Sequence, residues 1–342
     1  MRRLTPRDDD GATLVLVAMC MTVILGMAAL VIDVGAVVQE RRTLQNGADA
    51  AAMAVALDCG RGSCDPSGSN ATATALTYGQ ANDRDGRSSV TDVCGTLAPL
   101  AGCSPAPAGV TGDYVRVTLS TSTADGGFLR FRLAPAAGGR SSATVQRSAV
   151  AKWGKLGSST SLPLTVALCV FNNSIGSPTN LPMTTDIVVK LKAEGGNGKA
   201  SSGPCGPGGT YPGGFSWLDS GANCATTTTA GSIAAGKPGN SVPQECVTLL
   251  PTLVGKDIVI PVYDTFAGTG TNGTYSIIGY ASFRISGYRF PGLSNLTPAK
   301  CPGSTNNADT CIVGKFVKFS TNLGDFTNTG TDFGVSVVSL AA

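Results

Sequence analysis

Residues Gly11 to Ile32 run for 22 positions without one charge, and the run continues, with no loop between, into DVGAVVQERRTLQNGADAAAMAVALDCG from Asp33. A helix over the apolar run is about 33 Å long, enough to cross a hydrocarbon core of about 30 Å. In the continuation only Gly35 and Gly47 interrupt the pattern, and neither forces a break. The spacing predicts one helix from about Ala12 to Asp58, half in lipid and half outside, with Asp10 as N-cap and Gly60 as C-cap.

The outer half of this helix has two faces. Val37, Leu44, Ala48, Ala51 and Val55 fall at i, i+7, i+11, i+14 and i+18, while Arg42, Gln45 and Asp49 make a separate polar row. Small residues let another helix or a sheet approach closely. The apolar face therefore packs either on the protein's own sheet or on neighbouring subunits, and spacing leaves both open. Asp33 sits where the helix should leave the lipid, as a solvated interface residue or as a pairing partner between subunits. A partner on the same helix is not expected, because Arg41 is eight positions on, about 12 Å along the axis.

Histidine is absent. That removes Ser-His-Asp and Cys-His catalysis and the commonest imidazole metal ligand. Net charge is +3 and 14% of residues are charged, so no nucleic-acid footprint is present. With 45 glycines, the composition favours β structure with long turns.

Of the 11 cysteines, Cys20 lies in the apolar segment and counts as a small apolar residue. The others are Cys59, Cys64, Cys94, Cys103, Cys169, Cys205, Cys224, Cys246, Cys301 and Cys311. An even set downstream of a membrane helix reads as disulfides in an oxidising compartment. Short loops favour Cys59–Cys64, Cys94–Cys103, Cys205–Cys224 and Cys301–Cys311, leaving Cys169–Cys246. No C-x-x-C pair supports a zinc site.

Topology follows from the cysteines more than from flanking charge, since Arg2, Arg3 and Arg7 precede the helix and Arg41 and Arg42 follow it. The expected arrangement is a single-pass membrane protein. Residues 1–10 are cytoplasmic, 11–32 span the bilayer, and everything past about Asp33 is extracytoplasmic. A cleaved secretory signal is the rival reading, but its apolar region is normally about 7–15 residues.

No lysine precedes Lys152, and 13 of the 15 arginines do; from Lys152 onward there are ten lysines and two arginines. That switch, beside WGKLGSSTS, predicts a domain boundary near 153–160. The first part, 33–155, reads as α+β. It has a second helix over Ser69–Ala81 and strands over Tyr114–Ser122, Phe128–Leu133 and Thr144–Trp153. In the first of these strands Val115, Val117 and Leu119 share one face. The long helix packed on a small antiparallel sheet is the expected architecture. The second part, 158–342, reads as a disulfide-stapled, all-β domain. Its strands are expected over Leu164–Cys169, Ile187–Leu191, Asp257–Val262, Tyr275–Ser286, Ile312–Phe319 and Phe333–Leu340. Long Gly/Pro/Thr/Asn stretches at Gly195–Gly214 and Thr226–Gly239 separate some of them.

Several short motifs have plainer readings. The glycines of GTGTNG at Gly268, Gly270 and Gly273 lead into a strand, not a helix, so a hairpin loop replaces a dinucleotide site. Asp65, Ser67 and Ser69 have the D-x-S-x-S spacing of an adhesion metal site but follow a tight turn. Asp83 and Asp85 lack the first ligand and closing Glu of a calcium loop. Sequons at Asn70, Asn172, Asn272 and Asn295 are expected by chance in so Thr- and Asn-rich a chain.

The stretch ALVIDVGAVVQERRTLQNGADAAAMAVA resembles the N-terminal module of the Tad (Flp) pilus-assembly TadE/TadG-like proteins. The resemblance is carried by Gly11, Asp33, Gly35, Leu44, Gln45, Asp49, Ala50, Ala51, Ala52 and Ala54. GGFSWLD, GKDIVIPVYD and GYASFRISGY resemble a C-terminal extension that such proteins carry in high-GC Gram-positive bacteria. The fifth position after Gly11 is Leu16, where type IV pilins carry Glu, so the match does not extend to prepilin-type processing. The resemblance implies a non-enzymatic, pilin-like component of a filament or secretion machine, without cofactor. Its partners would be the lipid bilayer, other pilus or pseudopilin subunits and the inner-membrane assembly platform. The expected helix-assembly face is Asp33, Gly35, Leu44, Gln45, Ala48, Asp49, Ala51 and Ala52. An anchored surface adhesin, or binding module, is the alternative; an envelope enzyme would need a nucleophile motif the chain lacks.

Overall fold

The computed structural model describes residues 9–341 except 65–68, 84–85, 98–99, 111, 123–128, 132, 177–179, 192–213, 222, 240, 269–271, 305–308, 322–324 and 328–330. Cys205, Asp65, Ser67, Asp85, Gly270 and most of Gly195–Gly214 lie outside the described residues.

The long helix, α1, runs unbroken over Asp9–Gly60, about 78 Å at 1.5 Å per residue. Asp10 lies inside its first turn rather than before it. The second helix, α2, spans Ser69–Ala81. The strands that follow are β1 (Ser89–Gly95), β2 (Asp113–Ser120), β3 (Leu129–Arg130), β4 (Ser142–Ala143) and β5 (Gln146–Ser161). A single-turn 3-10 helix, Ala134–Ala137, forms the tip between β3 and β4.

Next come β6 (Leu164–Ala167), the short helix α3 (Leu168–Ile175), β7 (Ile187–Lys190), β8 (Phe215–Trp217), β9 (Thr226–Thr229) and β10 (Ile233–Ala235). The chain continues through β11 (Asp257–Ala267), β12 (Thr274–Phe290), β13 (Leu293–Ser294), β14 (Cys311–Val317), β15 (Phe319–Thr321), β16 (Asp325–Thr327) and β17 (Val335–Ala341). A long apolar helix followed by a mostly-β, disulfide-bonded chain is thus the α+β class the sequence predicts. The second part is not purely β, however. Leu168–Ile175 is helical, with Val170, Phe171 and Ile175 buried, and it ends at Gly176 with φ 65°.

Two sheets organise the strands. The first has the order β1-β2-β5-β17-β15, with β9 and β16 also paired to β5. Its inner strands are antiparallel, and β15–β17 is a parallel edge pair. Val115, Val117 and Leu119 of β2 turn one face inward, as alternation predicts. They meet Leu44, Ala48, Ala51, Ala52 and Val55 of α1 and Ala71 and Ala75 of α2 in one core. The alanines set the spacing. A Cβ on Gly47 would stand 3.0 Å from the Gly79 carbonyl oxygen and 3.1 Å from Leu119 Cδ1, so glycines are needed where α1, α2 and β2 converge.

The second sheet has the order β7-β14-β12-β11-β6-β8. Its core is aromatic: Phe171 contacts Phe316 and Phe333 edge-on with ring centroids 4.8 and 5.0 Å apart. Residues 153–160, where composition switches from arginine to lysine, lie within β5. That strand pairs with β2 along its first half and with β16 and β9 along its second. β17, from the far end of the chain, pairs with β5 over Val150–Lys155 and so belongs to the first sheet.

Candidate functional site

The candidate site is α1 itself, taken from the bottom up. Its lower half is largely uncovered by the fold: Leu14, Leu16, Ile24, Leu25, Leu30 and Val31 are 59–72% exposed. The helix carries a window of mean hydropathy 2.8 and is long and apolar enough to cross a membrane. A water-exposed face of this size would be costly at roughly 25 cal/mol per Å² of apolar surface. Lipid is the solvent such a surface matches.

Asp33 ends the apolar run and is the first residue the fold buries, at 6% exposure between Ile32 at 54% and Val34 at 52%. Its Oδ2 accepts the backbone N–H groups of Leu133 and Ala134 at 3.1 and 2.5 Å. Leu133 stands at the N-cap of the 3-10 turn and has no side-chain acceptor to offer. The carboxylate of α1 therefore supplies the cap from about a hundred residues away, satisfying donors that would otherwise be orphaned. Of the two readings of Asp33, the solvated interface residue is corrected by its burial. Two of its contacts lie within the chain, on a hairpin that spacing along α1 could not reveal.

Above Asp33 the two faces separate as the pattern implies. Leu44, Ala48, Ala51 and Ala52 are wholly buried against the chain's own sheet and α2. Of the two readings of this stripe, packing on the protein's own sheet is the one the fold adopts. In the polar row Gln45 Nε2 donates to Asp49 Oδ1 at 2.8 Å and to the Ser148 carbonyl at 3.5 Å, and Arg42 is exposed. Gly35 faces open space, since a Cβ there would meet nothing within 4 Å. At the upper end Ser320 and Ser336 donate to the Leu57 and Gly60 carbonyls at 3.3 and 2.9 Å. Strands β15 and β17 thereby cap the helix C-terminus.

The disulfides join Cys59–Cys64, Cys94–Cys103, Cys224–Cys246 and Cys301–Cys311. The pairings Cys205–Cys224 and Cys169–Cys246, expected from loop length, are both replaced by Cys224–Cys246. Cys169 is also disulfide-bonded. Cys20, in the apolar half of α1, is the free cysteine among the described residues. The described residues contain no group of three or more Cys, Asp or Glu placed to hold a metal ion.

The match that bears on this helix coincides with it almost end to end. Residues 11–58 match the Tad family model, “Putative Flp pilus-assembly TadE/G-like”. The Tad segment therefore covers the lipid-compatible half, Asp33, and the whole alanine face up to the last turn of α1. No curated protein and no solved structure shows significant similarity to the chain. The match is confined to α1, where it supports involvement in Flp pilus assembly, and the rest of the fold is described by its own geometry.

Proposed function

We propose that this protein is a membrane-anchored, pilin-like structural component of a Tad/Flp-type pilus-assembly or secretion machine. Its N-terminus is cytoplasmic, and the two-sheet region is extracytoplasmic. The observation that carries the reading is α1: one continuous rod, uncovered and apolar below Asp33, and the backbone of a folded head above it. Disulfides throughout the head support an oxidising location. The protein acts by lateral packing rather than catalysis. The upper stripe is occupied by its own sheet, so contacts with sister subunits and the assembly platform fall to the lower half of α1 and to exposed Val34, Gly35 and Val38. In lipid, association of this kind depends on close van der Waals approach at small residues.

Gly26 and Gly35 test this directly. They lie about 180° apart around the helix, and a Cβ at either meets nothing within 4 Å. Gly26→Leu and Gly35→Leu should leave the fold intact. At least one of them should abolish co-purification with sheared filaments or with the inner-membrane platform. Undiminished co-purification of both variants would refute lateral packing through this helix.

A further inference from the structure

We infer that a second copy of this chain packs in parallel against α1, along a seam that runs from Val17 through Cys20 and Val31 to Val38. The inference rests on the reading of α1 as a membrane helix that packs laterally, and it names the partner and the face.

The head leaves one face of α1 bare. It covers the helix first at Asp33 and again at Thr43, Leu44 and Gly47, all buried. At about 100° per residue, Val38 stands about 140° around the helix from Asp33 and about 180° from Gly47. Among the described residues from 33 to 43, the large apolar side chains left exposed are Val34, at 52%, and Val38, at 41%. They lie one turn apart on the side away from the head, beyond the charge that ends the apolar run. Gly35 sits beside them with no Cβ to hold a neighbouring helix off. Two chains anchored by the same helix share its direction, so their rods run parallel.

Spacing selects the partner. Val17, Ile24, Val31 and Val38 recur every seven residues, and Cys20, Met27 and Val34 follow them at three. This is a heptad repeat with apolar a and d positions, the pattern by which helices supercoil around one another. Inside the bilayer every face is apolar, so the pattern gains its meaning from continuing past Asp33. It gains more from the four a positions, all of them β-branched, which suit a parallel two-stranded coil of identical chains. The next d position is Arg41, exposed, where two guanidinium groups would face each other and repel. The next a position is Gln45, whose side chain is turned to Ser148 of its own head. The seam therefore ends where the sheet starts to cover the helix.

The test uses the full chain reconstituted in phosphatidylcholine vesicles, oxidised with copper phenanthroline and read on non-reducing gels, with flotation scored in the same samples. Cys20 is the free cysteine among the described residues, and the seam places it opposite its own copy, so the unaltered chain should give a covalent dimer. In a Cys20→Ser background, Ile24→Cys, Val31→Cys and Val34→Cys should cross-link too. Ala18→Cys and Leu25→Cys, about 160° and 140° around the helix from Cys20, should not. Val38→Lys, at an exposed site, adds a cation beside Arg41 and Arg42 and should reduce the Cys20 cross-link about tenfold. Ile24→Cys with Cys20 retained should give nothing larger than a dimer; a ladder of larger products overturns the two-stranded seam. Equal cross-linking on and off the seam, none on it in chains that float, or no effect of Val38→Lys overturns this pairing. Each of these leaves the membrane helix and its co-purification test standing. A chain that fails to float overturns both.

Discussion

Removing the Asp33 carboxylate should free the hairpin without unfolding the head. In Asp33→Ala the Leu133 and Ala134 N–H groups lose their acceptor at a site where Asp33 is 6% exposed. A hydrogen bond to a charged group contributes about 1.5–3 kcal/mol, and a buried donor left unpaired costs about 1–3 kcal/mol. The two bonds share one oxygen, and the released tip can turn its donors to water, so they do not add in full. A net loss of about 2–3 kcal/mol follows, which is roughly a 30- to 150-fold rise in the population of the open hairpin. Amide hydrogen exchange on the reconstituted full chain reads this at Leu133 and Ala134, with Val117 in the first sheet as the internal reference. Asp33→Asn keeps a carbonyl acceptor and should lose about 1 kcal/mol. Unchanged exchange at Leu133 and Ala134 in Asp33→Ala, with Val117 also unchanged, would refute the clamp. Uniform acceleration at all three would show that Asp33 supports the whole head instead.

Other perturbations address the rest of the fold. Ala51→Leu, at a wholly buried position, should destabilise the head by about 1–3 kcal/mol through overpacking, measured by urea denaturation; no change would mean that the stripe is not core. Cys224→Ala with Cys246→Ala opens a loop of sequence separation 22 and should cost about 3 kcal/mol in the same assay. The Glu245 carboxyl is lowered to about 2, first by the hydrogen bond from Lys237, 2.6 Å away, then by that from Ser220. A depressed folded value means that this contribution is present above the ordinary carboxylate range and is lost as pH falls toward about 2. Lys237→Met should move the Glu245 titration, followed by carboxyl NMR shifts, back up toward the ordinary value. Tyr280→Phe removes the hydroxyl that bonds Thr228 Oγ1 at 3.0 Å between the two sheets and should cost about 1 kcal/mol in thermal unfolding.

Local patterns in this chain were readable because local physics decides them. Ser69–Ala81 shows its helical spacing on its face, and the alternation of Val115, Val117 and Leu119 marks the buried side of β2. The continuity of α1 follows from the absence of any breaker. What was not legible depends on pairing at long range. The segment GKLGSSTS has a linker's composition, yet it is strand, because β9, a run of four threonines, and β16 supply its backbone partners. The apolar run after Leu164 fits a strand or a buried helix equally, and the chain uses both, turning at Ala167. Loop length mispaired Cys224, because tertiary approach rather than loop entropy alone selects the partner. At the candidate site the alanine face was readable as a face, but what covers it was not. The partner of Asp33 sits about a hundred positions away on a two-residue strand pair that carries almost no pattern.

Strand β5 has a developmental consequence. Its flank over Val150–Lys155 is closed by β17, made from residues 335–341. The first sheet therefore stays unfinished until residues 335–341 have been made and have docked. Until then an open row of amide and carbonyl groups faces whatever lies nearby, an invitation to mispairing among crowded nascent chains. A stop before Val335 would leave that seam permanently unzipped, an exposed strand edge open to pairing between copies.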